Sequence, residues 1–120
     1  MADYVDGFVI PVPSAKLDAY RRIAKKAARI WIEHGALMVR ECVADDVKPG
    51  KWTSFPQAVK LKEDEVVIFS FIVFKSRRQR DQVNKKVLAD PRLDAMMDPK
   101  AMPFDVKRMI YGGFKSIVGM

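Results

Sequence analysis

The chain has one cysteine, Cys42, and one histidine, His34, in 120 residues. A lone cysteine excludes an intramolecular disulfide framework and fits a reducing cytoplasm. Glycine is sparse, and no Gly-, Ser- or Gln-rich tract is present, which excludes a low-complexity chain. No apolar run reaches the about 18 residues that a membrane-spanning helix needs. The opening Met1-Ala2-Asp3-Tyr4-Val5-Asp6 carries acid where a signal peptide carries Lys or Arg, so export is not expected. There is no Gly-rich phosphate loop. Gly112-Gly113 falls inside an expected strand and marks a bulge or a close backbone approach. His34, Asp45 and Asp46 have no recognised metal-ligand spacing, and Cys42 lacks the motif of an activated nucleophile. No cofactor and no metal are therefore expected.

What is present describes one folded domain over residues 1–120: 49% of the residues are hydrophobic and 31% charged. The 22 Lys and Arg outnumber the 15 Asp and Glu, a net charge of +7. That balance permits attraction to nucleic acid, anionic lipid or acidic metabolites without selecting among them.

A first strand is expected over residues 4–12, with Tyr4, Asp6, Phe8 and Ile10 on one face and Pro11 and Pro13 ending it. Ser14 is expected to cap a helix over residues 15–34. Its stripe is Leu17, Tyr20, Ala24, Ala27, Ala28 and Trp31, and Gly35 is placed to end it in a left-handed conformation. A second strand covers residues 36–43, with Leu37, Val39, Glu41 and Val43 on one face. The run Val66-Val67-Ile68-Phe69-Ser70-Phe71-Ile72-Val73-Phe74 is rich in β-branched and aromatic residues, which predicts a third strand over residues 65–75. Ser76 and Gln79 have capping-box spacing at the start of a second helix, which Asp90-Pro91 closes. A further helical turn or two is expected within residues 92–98, then a connection through Pro99 and Pro103, then a last strand over residues 107–118.

The order βαββαβ is the ferredoxin-like arrangement of the α+β class: a four-stranded antiparallel sheet with both helices on one face. The third strand is apolar at nearly every position, so both its faces should be buried. Two helices cover one face, and the chain offers no spare element large enough for the other. A homodimer packed sheet against sheet is expected.

Several stretches carry a resemblance: Tyr4-Val5-Asp6-Gly7-Phe8, His34-Gly35-Ala36-Leu37 with Glu41-Cys42, Ser76-Arg77 with Arg80-Asp81 and Asn84, and Met102-Pro103-Phe104-Asp105 leading through Lys107-Arg108-Met109-Ile110-Tyr111 to Gly112-Gly113-Phe114. They resemble the YbaA-like bacterial family of unknown function, within the dimeric α+β barrel superfamily. The resemblance implies a ferredoxin-like fold and a sheet-to-sheet dimer, and it supplies no catalytic residue. Superfamily relatives include cofactor-free monooxygenases, haem-handling enzymes and small-molecule-binding regulatory domains, an analogy at the level of fold alone.

Polar groups inside the strands are the first functional signal, because buried charge must be paired or solvated. Asp6, Glu41, Arg108 and Tyr111, together with His34 near the end of the first helix, are the candidate ligand-binding residues. Met38, Trp31, Phe69, Phe71 and Tyr111 are candidate apolar walls. The connection over residues 44–62 is long for a small domain, and Trp52 and Phe55 in it are candidate lid residues or arms that embrace a partner. The leading expectation is a cytoplasmic homodimer that binds a small organic molecule, with its status as an enzyme open. One alternative is a nucleic-acid-associated protein using a basic helix face that includes Arg77, Arg78 and Arg80; it is disfavoured because no exposed aromatic accompanies those cations. Others are a monooxygenase-like enzyme without cofactor, or a purely structural dimer.

Overall fold

The computed structural model describes residues 3–96, 98 and 102–120. In chain order it contains β1 (Tyr4–Pro13), α1 (Leu17–Glu33), β2 (Met38–Val43), the single turn α2 (Phe55–Ala58), β3 (Glu65–Phe74), α3 (Arg77–Leu88), α4 (Pro91–Met96) and β4 (Ile110–Lys115). The strands form one antiparallel sheet in the order β2-β3-β1-β4, which is the ferredoxin-like topology. Among the described residues, no helix is long and apolar enough to cross a membrane.

The central ladder runs from Tyr4 opposite Phe74 to Pro13 opposite Glu65. Directly paired residues share a face, so even-numbered positions of both strands point to the same side. Ile10, Val12, Ile68, Ile72 and Phe74 are buried there beneath the helices. α1 supplies Tyr20 and Ile30 as its fully buried residues. Ile30 was not part of the expected stripe. The helix is rolled so that Tyr20, Ala27 and Ile30 face the sheet, while Ala28 lines an outer groove beside β2.

Local signals explain most element ends. Gly35 has φ of +119°, a left-handed conformation that favours glycine. Its carbonyl accepts from Gln79 Nε2 at 2.9 Å, which ties the end of α1 to α3. Ser76 Oγ accepts from the Gln79 N–H at 3.1 Å, while Gln79 Oε1 reaches back to the Lys75 N–H. Ser14 departs from expectation. It opens a 3₁₀ turn rather than capping α1, which begins at Leu17, and its N–H donates to the Asp64 carbonyl at 2.8 Å. Gly113 is the expected close approach: a Cβ there would collide with the Arg80 guanidinium and the Tyr4 hydroxyl. Pro99 lies outside the described residues.

The other sheet face is partly covered from within. The connection after β2 folds back so that Val59 packs against Val9 and Val67, all three buried. The expectation that no element of the chain could cover this face is corrected to that extent. Met38, Phe69, Ile110 and Phe114 on the same face remain exposed.

Arg108 fixes the approach to β4. It grips Glu65 at the start of β3 with Nη1 on Oε1 at 2.7 Å and Nη2 on Oε2 at 2.6 Å, and Nε donates to Asp105 Oδ2 at 3.0 Å. The Glu65 and Arg108 side chains are 4% and 15% exposed. Hydrogen bonds from Arg108 hold the Glu65 carboxyl below its ordinary pKa. Its stabilising contribution is therefore full above the unfolded-state pKa and is lost as pH falls through the folded-state value. Glu65→Gln is expected to destabilise the protein by about 3 kcal/mol at neutral pH, because it strands a largely buried guanidinium. Urea unfolding at several pH values should show the mutant and wild type converging in acid.

Candidate functional site

Between the helices and the sheet lies a cavity of about 220 Å³. Its space arises from the small side chains Ala24 and Ala27, which α1 presents toward the sheet. Phe8, Ile72, Trp31 and Phe104 are among its walls, and Leu88 and Val106 stand exposed at its rim.

Its polar pole is a three-residue cluster. Glu41 on β2 pairs across the ladder with Ser70 on β3, and Ser70 in turn faces Phe8 on β1, so register alone brings Ser70 and Glu41 to the cavity side. Ser70 Oγ donates to Glu41 Oε2 at 2.8 Å. Tyr20 descends from α1 and donates its hydroxyl to Glu41 Oε1 at 2.6 Å. Tyr20 and Ser70 are buried. Glu41 keeps solvent contact because it lies on an edge strand, at the junction with an outer groove lined by Leu17, Arg21 and Lys25. Desolvation by the atoms crowding its carboxylate nevertheless raises the Glu41 pKa, opposed by the hydrogen bonds from Tyr20 and Ser70. Burial, reinforced by the Glu41 charge, raises the Tyr20 pKa strongly and keeps its hydroxyl protonated as a donor.

The other residues singled out from sequence lie in separate places. Asp6 is 8% exposed; it sits 3.2 Å from Arg80 Nε and accepts from Asn84 Nδ2 at 3.3 Å. Burial raises its pKa against the pull of those two partners. Asn84 Oδ1 also takes the Trp31 indole N–H at 3.0 Å, so Asp6 supports a cavity wall at second hand. His34 Nε2 lies 2.8 Å from Asp90 Oδ2, joining the end of α1 to the start of α4. Arg92 bonds both Asp90 and Glu33, and its bonds are the main reason the Asp90 carboxyl is held far below its ordinary pKa. Arg108 is engaged with Glu65 and Asp105. Tyr111, 73% exposed on β4, stacks against Phe8 with ring centroids 6.1 Å apart.

Of these five residues, Glu41 lines the cavity. Trp52 is 85% exposed beneath the Lys51 ammonium, and Phe55 packs edge-on against Phe69. Phe55 therefore lies over the opposite side of the sheet from the cavity, beside a shallow hollow that includes Cys42 and Val67. Among the apolar walls read from sequence, Trp31 lines the cavity, while Met38, Phe69 and Phe71 point to the other face by strand parity. Arg80, grouped from sequence with Arg77 and Arg78 on an outer basic face, turns inward instead to Asp6 and the Tyr4 ring. Tyr20 and Ser70 were not singled out for the site. Ser70 carried a signal, as the one polar residue in the run from Val66 to Phe74.

The family model described as "Protein of unknown function (DUF1428)" matches residues 3–106. The chain belongs to this family. Tyr20, Glu41 and Ser70 all fall within the matched region. Relatives in the family include the uncharacterized protein YbaA of Escherichia coli K12, 53% identical over 115 residues that cover 96% of this chain and 97% of the relative. The YbaA of Shigella flexneri matches with the same identity and coverage. Among solved structures, the chain is similar to a nipsnap family protein of unknown function from Agrobacterium tumefaciens, with a TM-score of 0.62 at 15% identity, covering 95% of this chain and 87% of that one. It is also similar to a dimeric ferredoxin-like protein from an uncultured marine organism, with a TM-score of 0.57 at 9% identity over 100% of this chain and 98% of that one. At such identities the two structures show the fold alone.

The tyrosine and serine hydroxyls stabilise the ionised form of Glu41, so removing either should raise its pKa further. Tyr20→Phe and Ser70→Ala are each expected to move the Glu41 carboxyl titration, followed by ¹³C NMR, to higher pH. Each should also cost about 2 kcal/mol of stability at neutral pH, the worth of a hydrogen bond to a charged group. Because the folded-state pKa lies above the unfolded value, stability attributable to Glu41 is full below the unfolded pKa and is lost as pH rises through the folded one. That is the opposite sense to Glu65.

Proposed function

We propose that the protein binds a small, mostly apolar organic molecule in the cavity between helices and sheet, and that it does so as a cytoplasmic homodimer. The observation that carries the reading is the cavity itself: about 220 Å³ of apolar space with a single hydrogen-bonded carboxylate at one pole. Concave, largely apolar sites with a few convergent polar groups are the usual form of small-molecule sites. The volume exceeds the about 150 Å³ of an apolar cavity that accepts benzene, so a compact ligand fits. Glu41, with Tyr20 and Ser70 holding it, orients the ligand. Asp6, through Asn84, steadies the Trp31 wall; His34 and Arg108 brace the segments that bound the site, and Tyr111 backs Phe8.

The dimer reading rests on Phe69, Ile110, Phe114 and Met38, which leave one side of the sheet apolar and exposed beside Phe55. A second copy presenting the same surface covers it with closed two-fold symmetry. The description of one structural neighbour as dimeric agrees with this.

Native mass spectrometry of protein purified without added ligand should show a dimer carrying a reproducible small-molecule adduct. Ala27→Phe, which fills the cavity, should remove the adduct. An adduct-free protein that saturating toluene also fails to stabilise thermally would overturn the binding reading. By light scattering at micromolar concentration the mass should be twice 13.7 kDa, falling to one chain in Phe114→Arg. A monomeric wild type would overturn the dimer.

A further inference from the structure

The inward-facing carboxylates of this fold differ in one respect. Asp6 faces Arg80, Glu65 is gripped by Arg108, and Asp90 is held by Arg92 and His34. Glu41 is satisfied only by two neutral hydroxyls, and no cation among the described residues pairs with it. A carboxylate partly taken from water, as Glu41 is on its exposed edge strand, recovers part of its solvation from such donors and keeps the rest from solvent. Two donors occupy about half of the roughly four acceptor positions that a carboxylate offers.

Among the described residues, no cation lines the cavity. The chain carries a net charge of +7, yet among the described residues Glu41 is the one charged residue lining the cavity. Arg21 and Lys25 line an adjoining groove, which shares Tyr20, Ala24, Val39 and Glu41 with the cavity. Phe8, Trp31 and Phe104 supply aromatic surface within the same space, and aromatic faces attract ammonium groups. The Trp31 N–H is already donated to Asn84, so it offers no donor to an anion.

We infer that the cavity takes a compact apolar amine, bound as its ammonium cation with the nitrogen on Glu41 and the hydrocarbon body among the aromatic walls. The inference rests on the reading of this cavity as a ligand site and names the ligand's chemical class. An ammonium supplies a counter-charge and takes acceptor positions that water otherwise fills. A carboxylate or phosphate ligand would meet like charge at Glu41, and a neutral alcohol would gain one hydrogen bond without the charge.

The test compares four probes of nearly equal shape by isothermal titration calorimetry at neutral pH: benzylamine, benzyl alcohol, toluene and benzoate. Wild type should bind benzylamine roughly tenfold tighter than benzyl alcohol or toluene, as expected for a charge-assisted contact in a partly desolvated site. Benzoate should show no binding. Glu41→Gln should bring benzylamine down to the level of benzyl alcohol while leaving toluene binding unchanged, which also shows that the variant is folded and its cavity intact. Equal binding of amine, alcohol and toluene would overturn the amine inference and leave the ligand cavity standing. So would an amine preference that survives Glu41→Gln, or binding of benzoate. Failure of all four probes would overturn both the inference and the reading beneath it.

Discussion

The antiparallel ladder between β1 and β3 is the constraint on which the rest of the molecule depends. Its register places Phe74, Val12, Ile68 and Ile72 on one side, where they are buried beneath α1, α3 and α4, and Val9 and Val67 on the other. A shift of one residue would send every one of those side chains to the opposite face. The same register sets Ser70 between Phe8 and Glu41, so the site's polar pole follows from the ladder that builds the core.

Around that ladder, ion pairs hold segments that hydrophobic burial leaves loosely specified. Arg108 with Glu65 anchors the chain entering β4, Asp90 with His34 and Arg92 joins α1 to α4, and Arg80 with Asp6 and Tyr4 sets α3 against the sheet. These clamps surround the helix–sheet space without entering it. Glu41 departs from that pattern: its partners are the hydroxyls of Tyr20 and Ser70.

The apolar pattern made the element order and the two-layer fold legible, because strand and helix periods are local properties. Gly35, Ser76 and Asp90-Pro91 marked helix ends for the same reason. Ile30 escaped because the roll of a helix is set by what it packs on, and Ala28 satisfies the same spacing while facing outward. Ser14 escaped because the chain takes a 3₁₀ turn over Ser14–Lys16 before α1 starts, which moves the helix boundary past the serine. Glu41 stood out from sequence as a charge inside a strand. Asp6 and Arg108 did so for the same reason, and His34 as the lone histidine near a helix end, yet each has a partner of its own elsewhere.

The sequence by itself determined the α+β class, the βαββαβ order, the presence of a doubly apolar central strand and the absence of a disulfide framework, since each follows from residue type and local spacing. The tertiary structure decided which side chains meet. Tyr20 and Glu41 are 21 residues apart, Glu41 and Ser70 are 29 apart, and Asp6 and Asn84 are 78 apart. Packing and strand register bring them within hydrogen-bond distance, and neither is written in any single segment of the chain.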